Sequence, residues 1–269
     1  MAIINGPFNF NGSFGNMRCY FDPATGQWIL AKNGGYTREQ YNTLPSLKVT
    51  RENTNEFSGC SIWASKLKES LSYIGHLMHP RCFNNIVSAG KLIQRHDVTS
   101  PHGYSSIEVN KDLQAIIDID FNVQYPFKSV IRKSCAISFS SDKKTATLSI
   151  PGFVPTEDAC WVSKYYAVRL YFVIAQTSNV VYNPVTNKYE PVVSSLELLS
   201  RKVVGPWMVN NSVPVDVDLQ VSLDDPAFSI PGTAVIAAVG VEFSTSSLNG
   251  EPCVMPHCGS MKIVACFIP

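Results

Sequence analysis

The sequence predicts an α+β protein: an N-terminal β-hairpin and a helical hairpin, followed by a larger, mainly antiparallel β-sandwich. Three observations carry this. The segment Thr54–Ile74, TNEFSGCSIWASKLKESLSYI, repeats apolar residues at spacings of three and four, the mark of an amphipathic helix. A shorter pattern of the same kind follows at Phe83–Gln94. From about residue 107 the chain turns to alternating or continuous apolar runs separated by Pro, Gly, Asn and Asp turns, as in a two-sheet sandwich. A soft boundary is expected in HDVTSPHGYSS (96–106), which divides the chain into 1–106 and 107–269.

Taken in order, residues 1–35 read as a small β element in which Phe8, Phe10 and Phe14 alternate with Asn and Gly. NMRCYF and QWILA flank Asp22-Pro23-Ala24-Thr25-Gly26, which puts Pro and Gly where a turn needs them. The expected hairpin pairs 14–21 with 27–31, and a polar linker runs from Gly34-Gly35 to about Arg51. In the long helix Phe57, Cys60 or Ser61, Ala64, Leu67, Leu71, Ile74 and Met78 share a face. Thr54 or Asn55 is the expected N-cap, Glu56 suits the first turn, and Gly75 is placed to end the helix. Pro80 breaks the chain in GHLMHPRC. The second helix lays Phe83, Ile86, Val87, Gly90 and Ile93 on one side, and so short a connection favours antiparallel neighbours.

In the sandwich half, Ile117, Ile119, Phe121 and Val123 alternate with polar residues, and Cys135–Phe139 forms a hairpin with Ala146–Ile150. Tyr165–Ala175 (YYAVRLYFVIA) is almost continuously apolar, as a strand covered on both faces would be. Val213, Val215, Val217, Leu219, Val221 and Leu223 alternate without a break. Thr233–Phe243 and Met261–Ile268 complete the set, with 165–175 and 233–243 as core strands.

Composition narrows the classes of function. Hydrophobic residues make up 45% of the 269, and charged residues only 16%, against roughly 25% in ordinary soluble domains. With net charge +1 and no cationic stripe, no nucleic-acid partner is expected; Lys66, Lys68, Lys91 and Arg95 read as a solvated face. No apolar run is long enough for a membrane span, so no membrane insertion is expected. MAIINGPFNF lacks the basic and apolar regions of a secretory signal. The eight cysteines are too few for a disulfide scaffold and mostly lie in apolar runs. They predict free thiols and synthesis in a reducing compartment.

No chemistry-bearing motif emerges. Cys253, His257 and Cys258 form the nearest approach to a metal cluster, but C-x4-C with one His and no second pair falls short of a zinc site. Asp118 with Asp120 and Asp216 with Asp218 would hold calcium only if their strands were neighbours; solvated strand faces explain them as well. His76 and His79 suit a helix C-terminus, and His79 with Cys82 lacks the third group that a thiol–imidazole pair needs. No phosphate-binding loop, G-x-S-x-G or H-E-x-x-H occurs. No catalytic residue, cofactor or metal is therefore assigned.

Four stretches resemble a family of uncharacterised Bacteroidota proteins. They are GPFNFNGSFGNMRCYFDPATGQWIL, RENTNEFSGCSIWASKLKESL, VTSPHGYSSIEV with IIDIDFN, and ATLSIPGFVP followed by YYAVRLYFVIAQ. The family's start is commonly rich in Lys and Arg, whereas this chain is nearly uncharged to Met17. The resemblance implies a kind of host and no activity.

The expected function is a non-enzymatic structural subunit that assembles with copies of itself or with other structural subunits, into a filament, surface layer, phage particle or injection-like machine. Phe8, Phe10 and Phe14 are the expected assembly residues, on a β element able to pair with a neighbour's open sheet edge. The alternative is a binding module whose sandwich loops hold a glycan or protein; a hydrolase with an unrecognised site is the third reading, with alanine at His79 and Cys82 as the control in a chemical screen.

Overall fold

Two kinds of apolar pattern meet in this protein, a helical stripe and strands that are apolar on both sides, and each finds its cover. The structure is a computed structural model that describes residues 2–4, 10–23, 25–140, 145–194, 196, 198–223, 225–246 and 250–268, without the side chains of 2–4, 226–227 and 256–257. The chain forms two compact units, Met1–Arg51 and Glu52–Pro269.

The first unit holds a four-stranded antiparallel sheet in the order β1-β4-β3-β2. Its strands are β1 (Ala2–Ile4), β2 (Gly12–Phe14), β3 (Met17–Asp22) and β4 (Gln27–Lys32). The expected hairpin is β3 with β4, in register from Met17↔Lys32 to Asp22↔Gln27. Gly26 takes a left-handed φ of 67°, and its N–H donates to the Asp22 carbonyl at 2.9 Å, a turn that a side chain would resist. The stretch expected as a polar linker contains a short helix, α1 (Arg38–Thr43). Its capping box is complete: Gln40 N donates to Thr37 Oγ1 at 3.1 Å, and Thr37 N to Gln40 Oε1 at 2.9 Å, two orphan donors satisfied reciprocally.

The long helix, α2 (Lys48–Ser70), begins at Lys48 rather than near Thr54, because Pro45–Leu47 already winds a 3₁₀ turn with proline at its start. Thr54 and Asn55 are therefore mid-helix residues, not caps. Phe57, expected on the buried stripe, is 60% exposed; Glu56 takes the inward position, and Trp63 joins Cys60, Ala64 and Leu67 inside. After Ser70 the chain tightens into a 3₁₀ segment, Ser72–Leu77, instead of ending at Gly75. The second helix, α3 (Phe83–Gln94), has the expected bounds and buries Ile86, Val87, Gly90 and Ile93. It runs back along α2: a Cβ on Gly90 would lie 2.9 Å from Trp63 Cε3, and Cys60 Sγ reaches Gln94 Oε1 at 3.4 Å. The helical hairpin is thus closed by glycine-to-indole contact.

Beyond the hairpin come α4 (Phe127–Val130), β5 (Ala136–Phe139), β6 (Thr145–Phe153) and α5 (Pro155–Asp158), then the long β7 (Ala167–Ser178). The hairpin β8 (Val180–Asn183) and β9 (Lys188–Pro191) and the strands β10 (Ser200–Val204) and β11 (Met208–Val209) were not expected from sequence. The chain closes with β12 (Val215–Ser222), β13 (Thr233–Ser246) and β14 (Pro252–Phe267). A five-stranded sheet runs β10-β7-β13-β14 with β11 also on β7; a three-stranded sheet runs β12-β6-β5. All of these pairs are antiparallel.

Two cores lie on the two faces of the larger sheet. Tyr171, Val173, Ala175, Ile236, Ala238 and Ile263 pack with the inward residues of α2 and α3. The alternate residues, among them Leu170, Phe172, Ile174, Val239 and Val241, pack with Leu148, Ile150, Phe153, Leu219 and Val221 of the smaller sheet. Continuous apolar runs in β7 and β13 follow from cover on both faces, and strict alternation in β12 from cover on one. Because the helices and sheets share a core, the division falls after Arg51 rather than at the soft boundary near 106.

Ile117–Val123 is not a regular strand. Asp118 adopts a left-handed φ of 73°, which interrupts the extended backbone. The segment still runs against β14: Asp118 N donates to Ile263 O at 3.0 Å, Ile263 N to Ile119 O at 3.1 Å, and Phe121 N to Met261 O at 3.0 Å. Ile119 and Phe121 are buried while Val123 is 49% exposed, so the alternation stops where the pairing does.

Candidate functional site

The residues expected to mediate assembly lie in the first unit. Phe8 falls outside the described residues. Phe14 of β2 is 78% exposed and Phe10, just before it, 46%. Strand alternation and register put Phe14 opposite Met17, and Phe21 opposite Trp28, on one face of the sheet; the Phe21 and Trp28 rings are 5.5 Å apart. Met17 and Phe21 are also exposed, at 46% and 45%. Among the described residues β1 pairs only with β4 and β2 only with β3, which makes them the edge strands. An exposed apolar face and two short edge strands are the two features that favour strand addition.

The other sequence candidates lie in the second unit. Cys253 is exposed on β14 opposite Thr245, and Cys258 is half-buried against the second core. A register shift between Glu242 and Ser244 separates them, and the His257 side chain lies outside the described residues. Among the described residues no group of three or more His, Cys, Asp or Glu side chains is placed to hold a metal. The paired aspartates are used singly: Asp120 accepts from Asn122 N and Phe127 N at 3.1 and 2.6 Å, and Asp216 accepts from Gly152 N at 2.6 Å. His79 Nδ1 accepts from Arg81 N at 3.1 Å and so caps a 3₁₀ turn.

Three clusters of buried ionisable groups were not anticipated. Glu242 of β13 is directly opposite Arg169 of β7. Arg169 Nε and Nη2 reach its Oε2 at 2.7 and 2.6 Å, and Tyr171 Oη donates to the same oxygen at 2.7 Å. His76 Nε2 lies 3.0 Å from Oε1. Burial alone would raise this carboxyl; the hydrogen bonds from His76, Tyr171 and Arg169 outweigh it and bring it down to about 2, while burial pushes the Tyr171 hydroxyl up to about 12. The guanidinium also stacks over Trp207 at 4.3 Å. A carboxylate held this firmly accepts no proton near neutrality, so the cluster is a clamp between strands rather than a general base. The signal for it was one charge of opposite sign in each of two otherwise apolar strands.

The other two clusters pin the loop 96–106. Glu56 accepts from Lys91 Nζ at 2.5 Å, Gly103 N at 3.0 Å and Ser105 Oγ at 3.0 Å. Asp97 accepts from the N–H and hydroxyl groups of Ser106 and Thr99 at 2.7–3.1 Å, and these hold its carboxyl far below the usual range despite burial. The Gly-, Ser- and Pro-rich stretch that reads as a boundary is therefore anchored at both ends of its hydrogen-bond network. Burial pushes the Cys60 thiol up to about 11 and the Cys266 thiol up to about 12, away from the reactive thiolate.

No helix among the described residues is long and apolar enough to cross a membrane. Comparison with protein-family models, with curated proteins and with solved structures finds no match.

Proposed function

We propose that this chain is a non-enzymatic structural subunit that assembles with copies of itself or with other structural subunits, in a filament, surface layer, phage particle or injection-like machine. One observation carries the reading: the small N-terminal sheet offers Phe14, Met17 and Phe21 to solvent, and among the described residues its edge strands β1 and β2 each pair on one side only. A neighbour that adds a strand there satisfies edge hydrogen bonds and covers apolar area in the same step. Support from the second unit is indirect. The Glu242 carboxyl is held low by its donors and the Cys60 thiol is pushed up by burial, so neither is tuned as enzymes tune a proton donor or nucleophile.

The test is the size of the purified chain over a concentration series, by light scattering with negative-stain microscopy of the same samples, for the full chain and for a chain lacking residues 1–35. Ordered polymers or rings from the full chain, and a folded but non-assembling shortened chain, are expected. A monomer of 29.6 kDa at every concentration, or assembly that survives the deletion, overturns the proposal. A binding module for a glycan or protein is the second reading, favoured by apolar side chains exposed at loop tips, Val185 at 87% and Leu196 at 97%. A glycan array or partner screen that scores with a strictly monomeric chain would establish it instead.

A further inference from the structure

A cleft of about 450 Å³ opens in the second unit beside α4 and β14, lined by Lys128, Arg132, Lys133 and Lys262 with Asp118 as its one carboxylate. Four cations meet there in a protein whose net charge is only +1. Lys262 is the informative one. Its side chain is 8% exposed, and a buried ammonium is costly without a counter-charge. That counter-charge comes from Asp118, whose own side chain is 63% exposed and whose second oxygen lies 3.9 Å from Lys128 Nζ. A deeply set cation is thus answered by a solvent-exposed carboxylate on a left-handed residue.

Among the described residues the other charges around the cleft have partners or open exposure. Lys133 Nζ donates to the Gly152 carbonyl and lies 3.5 Å from Asp158. Asp158 also accepts from Val154 N at 2.8 Å, and Asp120 is turned to the backbone of Asn122 and Phe127. Arg132 is exposed and makes no ion pair among the described residues. Lys128, Arg132 and Lys262 are therefore the cations that an entering anion would meet, and Asp118 is the group that it would displace. Arginine beside two ammonium groups suits a tetrahedral oxoanion with more than one charged oxygen. Phe127, Ile131 and Val264 supply an apolar wall, and the volume lies within the range of small-ligand sites.

We infer that this cleft binds phosphate or a phosphomonoester, and that the Asp118 carboxylate occupies the anion position when the cleft is empty. The proposal is independent of the assembly reading. It is tested by calorimetric titration of the full chain with inorganic phosphate and, separately, with a sugar phosphate, chloride being exchanged to hold ionic strength constant. Saturable binding is expected, weakened at least tenfold in a Lys128→Ala/Arg132→Ala double variant. Asp118→Asn keeps a residue that tolerates the left-handed backbone and should tighten binding several-fold. Lys128 and Arg132 are exposed, so an unchanged thermal midpoint in chloride checks that the double variant folds. Absence of saturable heat in both the natural chain and Asp118→Asn overturns the proposal. So does equal affinity in the double variant, or equal or weaker binding by Asp118→Asn. Tighter binding of the sugar phosphate assigns the ligand to esters that touch the apolar wall, and equal binding assigns it to the free ion.

Discussion

The two units solve the problem of a sheet's apolar face in opposite ways. In Glu52–Pro269 the larger sheet is covered by helices on one face and by a second sheet on the other, and the buried charges are paired within the unit. In Met1–Arg51 the buried apolar residues among those described are Cys19, Ala31 and Leu47, while Phe14, Met17 and Phe21 face solvent. A stable domain needs a second layer on its apolar face, and a unit of about 50 residues has little core to spare. Covered sheet faces in one unit and exposed apolar surface in the other form the contrast on which the proposed assembly rests.

The contrast is broken most severely by removing a buried partner in the second unit. Glu242→Ala leaves Arg169 and the Tyr171 hydroxyl without their acceptor and should cost about 3–5 kcal/mol, measured by denaturant unfolding. Replacing Glu242 and Arg169 together by leucine should cost much less, because no charge is stranded. Acid gives the same information. The folded-state pKa of Glu242 is depressed from an ordinary 4.5 to about 2, so its contribution is full above about 4.5 and is lost as pH falls towards 2. The stability difference between the natural chain and Glu242→Ala should shrink across that window; a constant difference would show that the clamp is not ionic.

A smaller effect is expected at the helical hairpin. Gly90 lies under the fully buried Trp63 ring, with 2.9 Å left for a Cβ. Gly90→Ala gains about 1 kcal/mol of helix propensity, but overpacking costs of roughly 1–3 kcal/mol should exceed it, because a buried indole has nowhere to turn. A net loss of stability in denaturant unfolding is expected; a gain would mean that the helices can part by a few tenths of an ångström at no cost.

Legibility in the sequence followed the range of the interaction. α3, β7, β12 and β13 were readable because each pattern is local: periodicity of 3.6, continuous runs for strands covered twice, alternation for a strand covered once. Ile117–Val123 misled because its residues alternate while Asp118 turns the backbone left-handed, and composition carries no signal for that. The 96–106 loop looked like a soft domain boundary because Gly, Ser and Pro are alike in free and pinned loops, and the carboxylate that holds Gly103 and Ser105 comes from Glu56. The Glu242–Arg169 clamp was half-visible, as lone charges in apolar strands, but only the register sets them opposite. Likewise KSVIRK announces three of the cleft's cations, and the buried fourth, Lys262, arrives from the far end of the chain. Phe10 and Phe14 are exposed, in keeping with their Asn and Gly neighbours in the sequence.

The smallest stability effect should belong to the residues with the largest effect on association. Phe14 is 78% and Phe21 45% exposed, and surface substitutions away from special features usually stay within ~0.5 kcal/mol. A Phe14→Ser/Phe21→Ser double variant should therefore unfold in denaturant close to the natural chain. If a neighbouring copy covers this face, each ring contributes on the order of 2 kcal/mol of burial there, so losing both should shift the concentration at which assemblies appear by two to three orders of magnitude. Light scattering of the two chains over the same concentration series reads that shift. Unchanged assembly with unchanged stability would place the contact on another surface. A large loss of folding stability would show instead that these rings already contribute to packing within the chain, which would dissolve the contrast between the two units.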